Sequence, residues 1–136
     1  MAKDKPNQAH VVLYQTADGR VTVDVRFERE NFWLTQKALA ELFGVNIPAV
    51  NKHLKNIYAS GELTPEATIS KMEIVQAEGH REVVRHVDLY NLDAAIAVGY
   101  RVNSVKATHF RIWATNTLRE FFVGIIQISM RRLRVL

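Results

Sequence analysis

Asn46, Ala49, Asn51, Lys52, Lys55 and Asn56 form the densest set of chemically useful side chains in the chain. An Asn amide offers a donor and an acceptor side by side, which matches the major-groove edge of adenine. A Lys ammonium reaches guanine or a phosphate oxygen. No carboxylate occurs between Gly44 and Ser60, so nothing in that segment repels a polyanion. The chemistry these residues suit is non-covalent recognition of double-stranded DNA. The plainer alternative is a helical hairpin whose second helix is only solvated.

The elements that must position them are legible around the set. The stretch from Trp33 to Tyr58 reads as two short helices joined by a tight turn. Thr35 is placed to cap the first, with Leu34 and Leu39 as a hydrophobic staple and Leu39, Leu42 and Phe43 as one apolar stripe. Ala40 is small enough to let a second helix cross closely. Gly44 suits a left-handed turn. Asn46 can cap the next helix and Pro48 fits its first turn, where no backbone donor is needed. Val50, Leu54 and Ile57 then face the first helix, leaving Asn51, Lys52, Lys55 and Asn56 outward. This is the pattern of a helix-turn-helix.

Flanking segments read as β-hairpins. His10–Gln15 is a short β-branched run, and Val21, Val23, Val25 and Phe27 alternate with polar residues, so residues 10–28 form one hairpin. Gly61 ends the second helix and Leu63–Glu66 is a connector. Strands at about 69–77 and 81–87 form a second hairpin around Glu78-Gly79-His80, with the order expected of a winged helix. Its tip would offer His80 and Arg81, with Arg85 further along. Asn91 caps a helix from Leu92 to Val98 that ends at Gly99, and Ser104 caps a longer helix to about Phe122. Phe110, Trp113, Ala114, Thr117, Leu118 and Phe121 make one apolar face of that helix. The fold class expected is therefore α+β: a winged-helix-like helix-turn-helix with two β-hairpins and a C-terminal helix.

Composition narrows the function classes. The chain has 136 residues, 48% apolar and 24% charged, which is globular rather than disordered. It has no cysteine, so disulfides, thiolate chemistry and Cys-based zinc sites are excluded. The start, MAKDKPNQAH, lacks the apolar core of a secretory signal. No apolar run approaches the roughly 20 residues that span a bilayer. The expectation is a cytoplasmic protein without membrane contact. Residues 1–98 hold 11 basic and 13 acidic residues, whereas residues 99–136 hold 7 basic and 1 acidic. Arg101, Lys106, Arg111 and Arg119 thus place a basic segment after the core, consistent with a phosphate-rich partner.

Catalytic and metal signatures are missing from the sequence. His10, His53, His80, His86 and His109 form no HxxxH or HExxH pair, and His86 and Asp88 would lie on one side only if extended. There is no GxGxxG, Walker-type loop or GxSxG turn. Asp93 is best explained as an acid favoured by a helix N-terminus. No cofactor, no metal and no enzyme activity are expected.

The run VDLYNLD (87–93), continuing through IAVGYRVNS (96–104) to FRIWAT (110–115), resembles the RhuM family of bacterial virulence-associated and mobile-element proteins. The resemblance extends from about residue 10 to residue 120. It implies an N-terminal module described as DNA-binding, sometimes fused to Fic/Doc-like domains and distantly similar to phage antirepressor and Bro-type domains. Family members are usually longer and continue past the equivalent of Leu118–Phe121 with a polar, Gly- and Asp-containing stretch. Residues 1–120 are accordingly expected to be the module and 121–136 an atypical apolar and basic tail, left by a truncated or frameshifted reading frame. Phe121, Phe122, Val123, Ile125, Ile126 and Ile128 have little polar cover, which predicts pairing with a sheet or burial in a homodimer.

The leading expectation is a transcription-regulator-like protein. Lys37, Lys52, Lys55, Arg101 and Lys106 would hold phosphates. Asn46, Ala49, Asn51, Lys52 and Asn56 would meet base edges, and two copies would bind a two-fold site. The alternative is a protein-interaction, adaptor or antitoxin-like module acting on an effector protein.

Overall fold

The computed structural model describes residues 10–135. Its architecture is α+β, with one antiparallel sheet and five helices among the described residues. The strands are β1 (His10–Gln15), β2 (Thr22–Glu28), β3 (Asn31–Leu34), β4 (Ile69–Glu78) and β5 (Arg81–Asn91). The helices are α1 (Gln36–Phe43), α2 (Ile47–Ala59), α3 (Pro65–Thr68), α4 (Leu92–Val102) and α5 (Ser104–Val135). The sheet order is β1-β2-β3-β5-β4.

The first hairpin pairs as its alternation predicts, from His10 opposite Phe27 to Gln15 opposite Thr22. Val23 and Val25 turn into the core while Thr22 and Asp24 stay in solvent. β3 is a difference from the sequence reading, which places no strand between the first hairpin and the Thr35 cap. The chain reverses at Glu28–Asn31 through Arg29 (φ 54°) and Glu30 (φ 60°), both left-handed. Two such residues make the tight reversal that matches strand twist, normally built from Asn and Gly. Their side chains give no such signal. The Arg29 guanidinium lies 5.2 Å from the centre of the Trp33 ring and donates to Ser70 Oγ at 2.8 Å, and these contacts offset the local strain.

β3 is short because Thr35 takes over as a helix cap. Its hydroxyl accepts from Ala38 N–H at 3.0 Å. β5 therefore pairs with β3 only at Trp33–Asn91 and Leu34–Tyr90. The β4–β5 ladder continues from Ile69–Tyr90 to Glu78–Arg81 without a break in register. At ~3.3 Å per residue, the ribbon runs on for roughly 25–30 Å beyond β3.

The core lies on one side of the sheet. Tyr14, Val23, Val25, Phe32, Leu34 and Tyr90 meet Leu39, Leu42 and Phe43 of α1, and Val50, Leu54 and Ile57 of α2. Ala94, Val98, Ala107 and Phe110 close it from α4 and α5. At the α4–α5 junction two helix boundaries depart from the sequence reading. α4 continues through Gly99, which serves the close approach of Phe43 and Ala107 rather than a helix end. α5 is capped by Asn103, not Ser104, because Asn103 Oδ1 accepts from Lys106 N–H at 3.1 Å.

Asn91 behaves as expected at the start of α4 and also does more. It is buried, its Oδ1 accepts from Ala94 N–H at 3.1 Å, and its Nδ2 donates to the Ala67 carbonyl at 3.3 Å. Asn91→Ala should cost about 1–3 kcal/mol, because a buried helix cap is lost together with the side-chain donor to the Ala67 carbonyl. Urea unfolding followed by circular dichroism checks this, and a change below about 0.5 kcal/mol would contradict it.

α5 passes residue 120 without interruption and continues to Val135. The segment from Phe121 thus extends a helix rather than adding a strand. Phe121 stacks on Phe27, with ring centres 4.3 Å apart and planes 5° apart, whereas Phe122 is 61% exposed and Val123 46%. The side chains of Ile125, Ile126 and Ile128 lie outside the described residues. No described helix is long and apolar enough to cross a membrane.

Candidate nucleic-acid interface

The α1–α2 turn is built as its residues dictate. Gly44 has φ 73°, and Val45 N–H bonds back to the Ala40 carbonyl at 3.0 Å, closing α1 with a left-handed cap. Asn46 then opens α2, its Oδ1 accepting from Ala49 N–H at 2.8 Å, with Pro48 in the first turn. Val50, Leu54 and Ile57 are buried on one side. At about 100° per residue, Pro48, Lys52, Lys55 and Ala59 fall within a wedge of roughly 60° directly opposite.

The expected contact residues of α2 and its cap divide by exposure. Asn46, Lys52, Lys55 and Asn56 are exposed, whereas Ala49 and Asn51 are half-buried on the flanks of the wedge. Asn46 has its side-chain oxygen committed to the cap, leaving its NH₂ outward-facing work. Tyr58 ties the far end of α2 to the end of α3 through a 2.8 Å bond between its hydroxyl and that of Thr68.

Lys106 is the basic residue of α5 that the fold brings to the turn. Its Nζ lies 3.6 Å from where a Cβ on Gly44 would stand. It also faces Asp18. That carboxyl is held below its usual range by the Arg20 N–H and the Thr16 hydroxyl, with Arg20 and Lys106 adding charge attraction. Asp18 therefore stays ionised and offsets part of the Lys106 charge.

Other expected contacts are placed elsewhere or already engaged. Lys37 is exposed on α1, lining a groove with Arg26, Trp33, Glu41, Val75 and Leu89. Arg85 binds Glu78 across the ribbon with two bonds, Nη2 to Oε1 at 2.8 Å and Nε to Oε2 at 2.9 Å. Arg101 binds Glu62 at 2.9 Å. His80 and Arg81 are exposed at the ribbon tip. Glu62 and Glu78 are the partners that sequence reading missed. They are 39 and 7 residues from their arginines, spacings that carry no periodic signal. Arg26 and Trp33 were also missed as groove residues, although the alternation in β2 puts Arg26 outward.

Among curated proteins and among solved structures, no match to the chain was found. The family model described as "Virulence protein RhuM family" matches residues 67–135, just over half of the chain. The match takes in the end of α3, the β4–β5 ribbon, α4 and all of α5, including the segment beyond residue 120. The chain therefore belongs to the RhuM family.

Proposed function

We propose that this protein is a sequence-specific DNA-binding module that reads the major groove with α2. The observation that carries the proposal is the wedge of Pro48, Lys52, Lys55 and Ala59. It is free of carboxylates, opposite the buried stripe of α2, and joined to α1 by the left-handed Gly44 turn. Lys52 and Lys55 would neutralise phosphates, and Asn56 with the flanking Asn51 would meet base edges. Lys106, behind the turn, adds positive charge to the same end. The β4–β5 ribbon, which follows α2 and α3 in the chain, would serve as a wing, with His80 and Arg81 at its tip for a neighbouring phosphate or the minor groove. In this winged-helix reading Arg85 and Arg101 are structural, since each is held by a glutamate.

Selection of bound duplexes from a random library, followed by affinity measurement across salt, tests the proposal. Binding should fall steeply as salt rises. Lys52→Ala/Lys55→Ala should reduce the log–log salt slope by about 2, near 0.9 per lost phosphate contact. No enriched duplex, or an unchanged slope in the double variant, would overturn the assignment of α2.

The second reading, a protein-interaction module acting on an effector, is favoured by one observation. Phe122 and Val123 are exposed on α5, beside an apolar groove lined by Phe27, Leu118 and Phe121.

A further inference from the structure

The β4–β5 ribbon ends the sheet on one side, and β4 is its outer strand. Ten residues of β4 pair with β5 in unbroken register, without proline and without a bulge. Proteins usually blunt such an edge, since its outward N–H and C=O groups can accept another strand. Here the blunting is weak: Lys71 is the only lysine of β4, and Val75 (61% exposed) and Val84 (55%) are uncovered.

The charges along β4 select the strand it would accept. Lys71 stands opposite Asp88, and Glu73 opposite His86, so these four residues share one face of the ribbon. Among the described residues, neither Lys71 nor Glu73 makes an ion pair. Two antiparallel copies of β4 related by a two-fold axis normal to the sheet must centre on a residue. Centring on Lys71 sets two ammonium groups face to face, and centring on Glu73 sets two carboxylates face to face. Centring on Met72 places each Lys71 opposite Glu73 of the second copy. The face would then carry Asp88, Lys71 and Glu73 of the second copy side by side, three charges that alternate in sign.

We propose that β4 is a homodimerisation edge, pairing antiparallel with β4 of a second copy about Met72. The sheet becomes continuous across the two-fold, and the two ribbons brace each other. That answers the marginal stability expected of a two-stranded ribbon standing alone. The inference does not depend on DNA: dimerisation is measured without it, so its failure and that of the DNA-binding proposal are separate results.

Sedimentation of the full chain and of charge variants, with circular dichroism to confirm folding, provides the test. Wild type should dimerise at micromolar concentration. Lys71→Glu opposes Glu73 of the second copy with another carboxylate, and Glu73→Lys opposes two ammonium groups. Each single variant should weaken self-association by roughly tenfold or more, since two attractive pairs become repulsive. Mixing the K71E and E73K chains should recover a heterodimer, because every facing pair is then opposite in sign. The double variant K71E/E73K should recover the homodimer. A monomeric wild type would overturn the proposal. So would a dimer that both single variants leave unchanged, or one abolished by Phe122→Ser but indifferent to the charge swap, which would place the interface on α5.

Discussion

Phe110→Ala should lower the free energy of unfolding by about 3–5 kcal/mol, the range for removing a fully buried aromatic side chain. Phe110 is completely buried and is the point at which α5 meets the first hairpin. Its ring meets Tyr14 edge-on, with centres 5.1 Å apart and planes 83° apart, and lies against Trp113 at 5.6 Å. Trp113 in turn stacks on Phe32 of β3 at 5.2 Å. Deleting the ring therefore opens a cavity between β1 and α5, beside Trp113. Since small domains are stable by about 5–15 kcal/mol in all, the variant would approach the unfolding threshold. Urea denaturation followed by far-UV circular dichroism gives the number. Ile112→Ala, one residue along α5 from Trp113 and 47% exposed, should change it by no more than about 0.5 kcal/mol. Equal effects at the two positions would show that α5 does not dock as described.

Gly99→Ala should destabilise by about 1–3 kcal/mol, against the usual gain of a helical Gly→Ala change. A Cβ at Gly99 would sit 2.6 Å from Phe43 Cζ and 2.8 Å from the Ala107 Cβ. Phe43 is 3% exposed and Ala107 fully buried, so neither has room to retreat. The contact joins α1, α4 and α5, which means the strain would reach the helix that supports α2. Gly124→Ala is the matched comparison: it is helical, and a Cβ there meets nothing within 4 Å. It should stabilise by up to about 1 kcal/mol. Thermal and urea unfolding of both variants should move in opposite directions. A stabilised Gly99→Ala would refute the close packing of Phe43 on α4.

Much of the α1–α2 hairpin was legible because its signals are local. Thr35, Gly44, Asn46 and Pro48 each act within three or four residues, and the structure assigns them the roles their chemistry predicts. The same holds for the first hairpin, where alternation fixes which face is buried. Boundaries failed where two local signals competed or the deciding contact was distant. Asn103 and Ser104 are both good caps, and the bond to Lys106 N–H selects Asn103. Gly99 looks like a helix terminator until Phe43, more than fifty residues earlier, is seen to need the space. β3 was hidden because Arg29 and Glu30 turn the chain without a glycine, held by Trp33 and Ser70.

The wedge on α2 carries the same division. Sequence alone determined that Ala49, Asn51, Lys52, Lys55 and Asn56 lie on a helix capped by Asn46 and free of carboxylates, since residue type and a 3.6-residue period suffice for that. It also identified the two hairpins and the apolar face of α5. Only the tertiary structure decided which charges are available. Arg85 and Arg101 are taken by Glu78 and Glu62, Lys106 is brought beside the Gly44 turn, and Lys37 lines a different groove. The reason is physical: periodicity encodes the face on which a side chain leaves its own element, whereas ion pairing depends on the distance between elements. That distance is set by how β5, α4 and α5 pack, and no spacing along the chain records it.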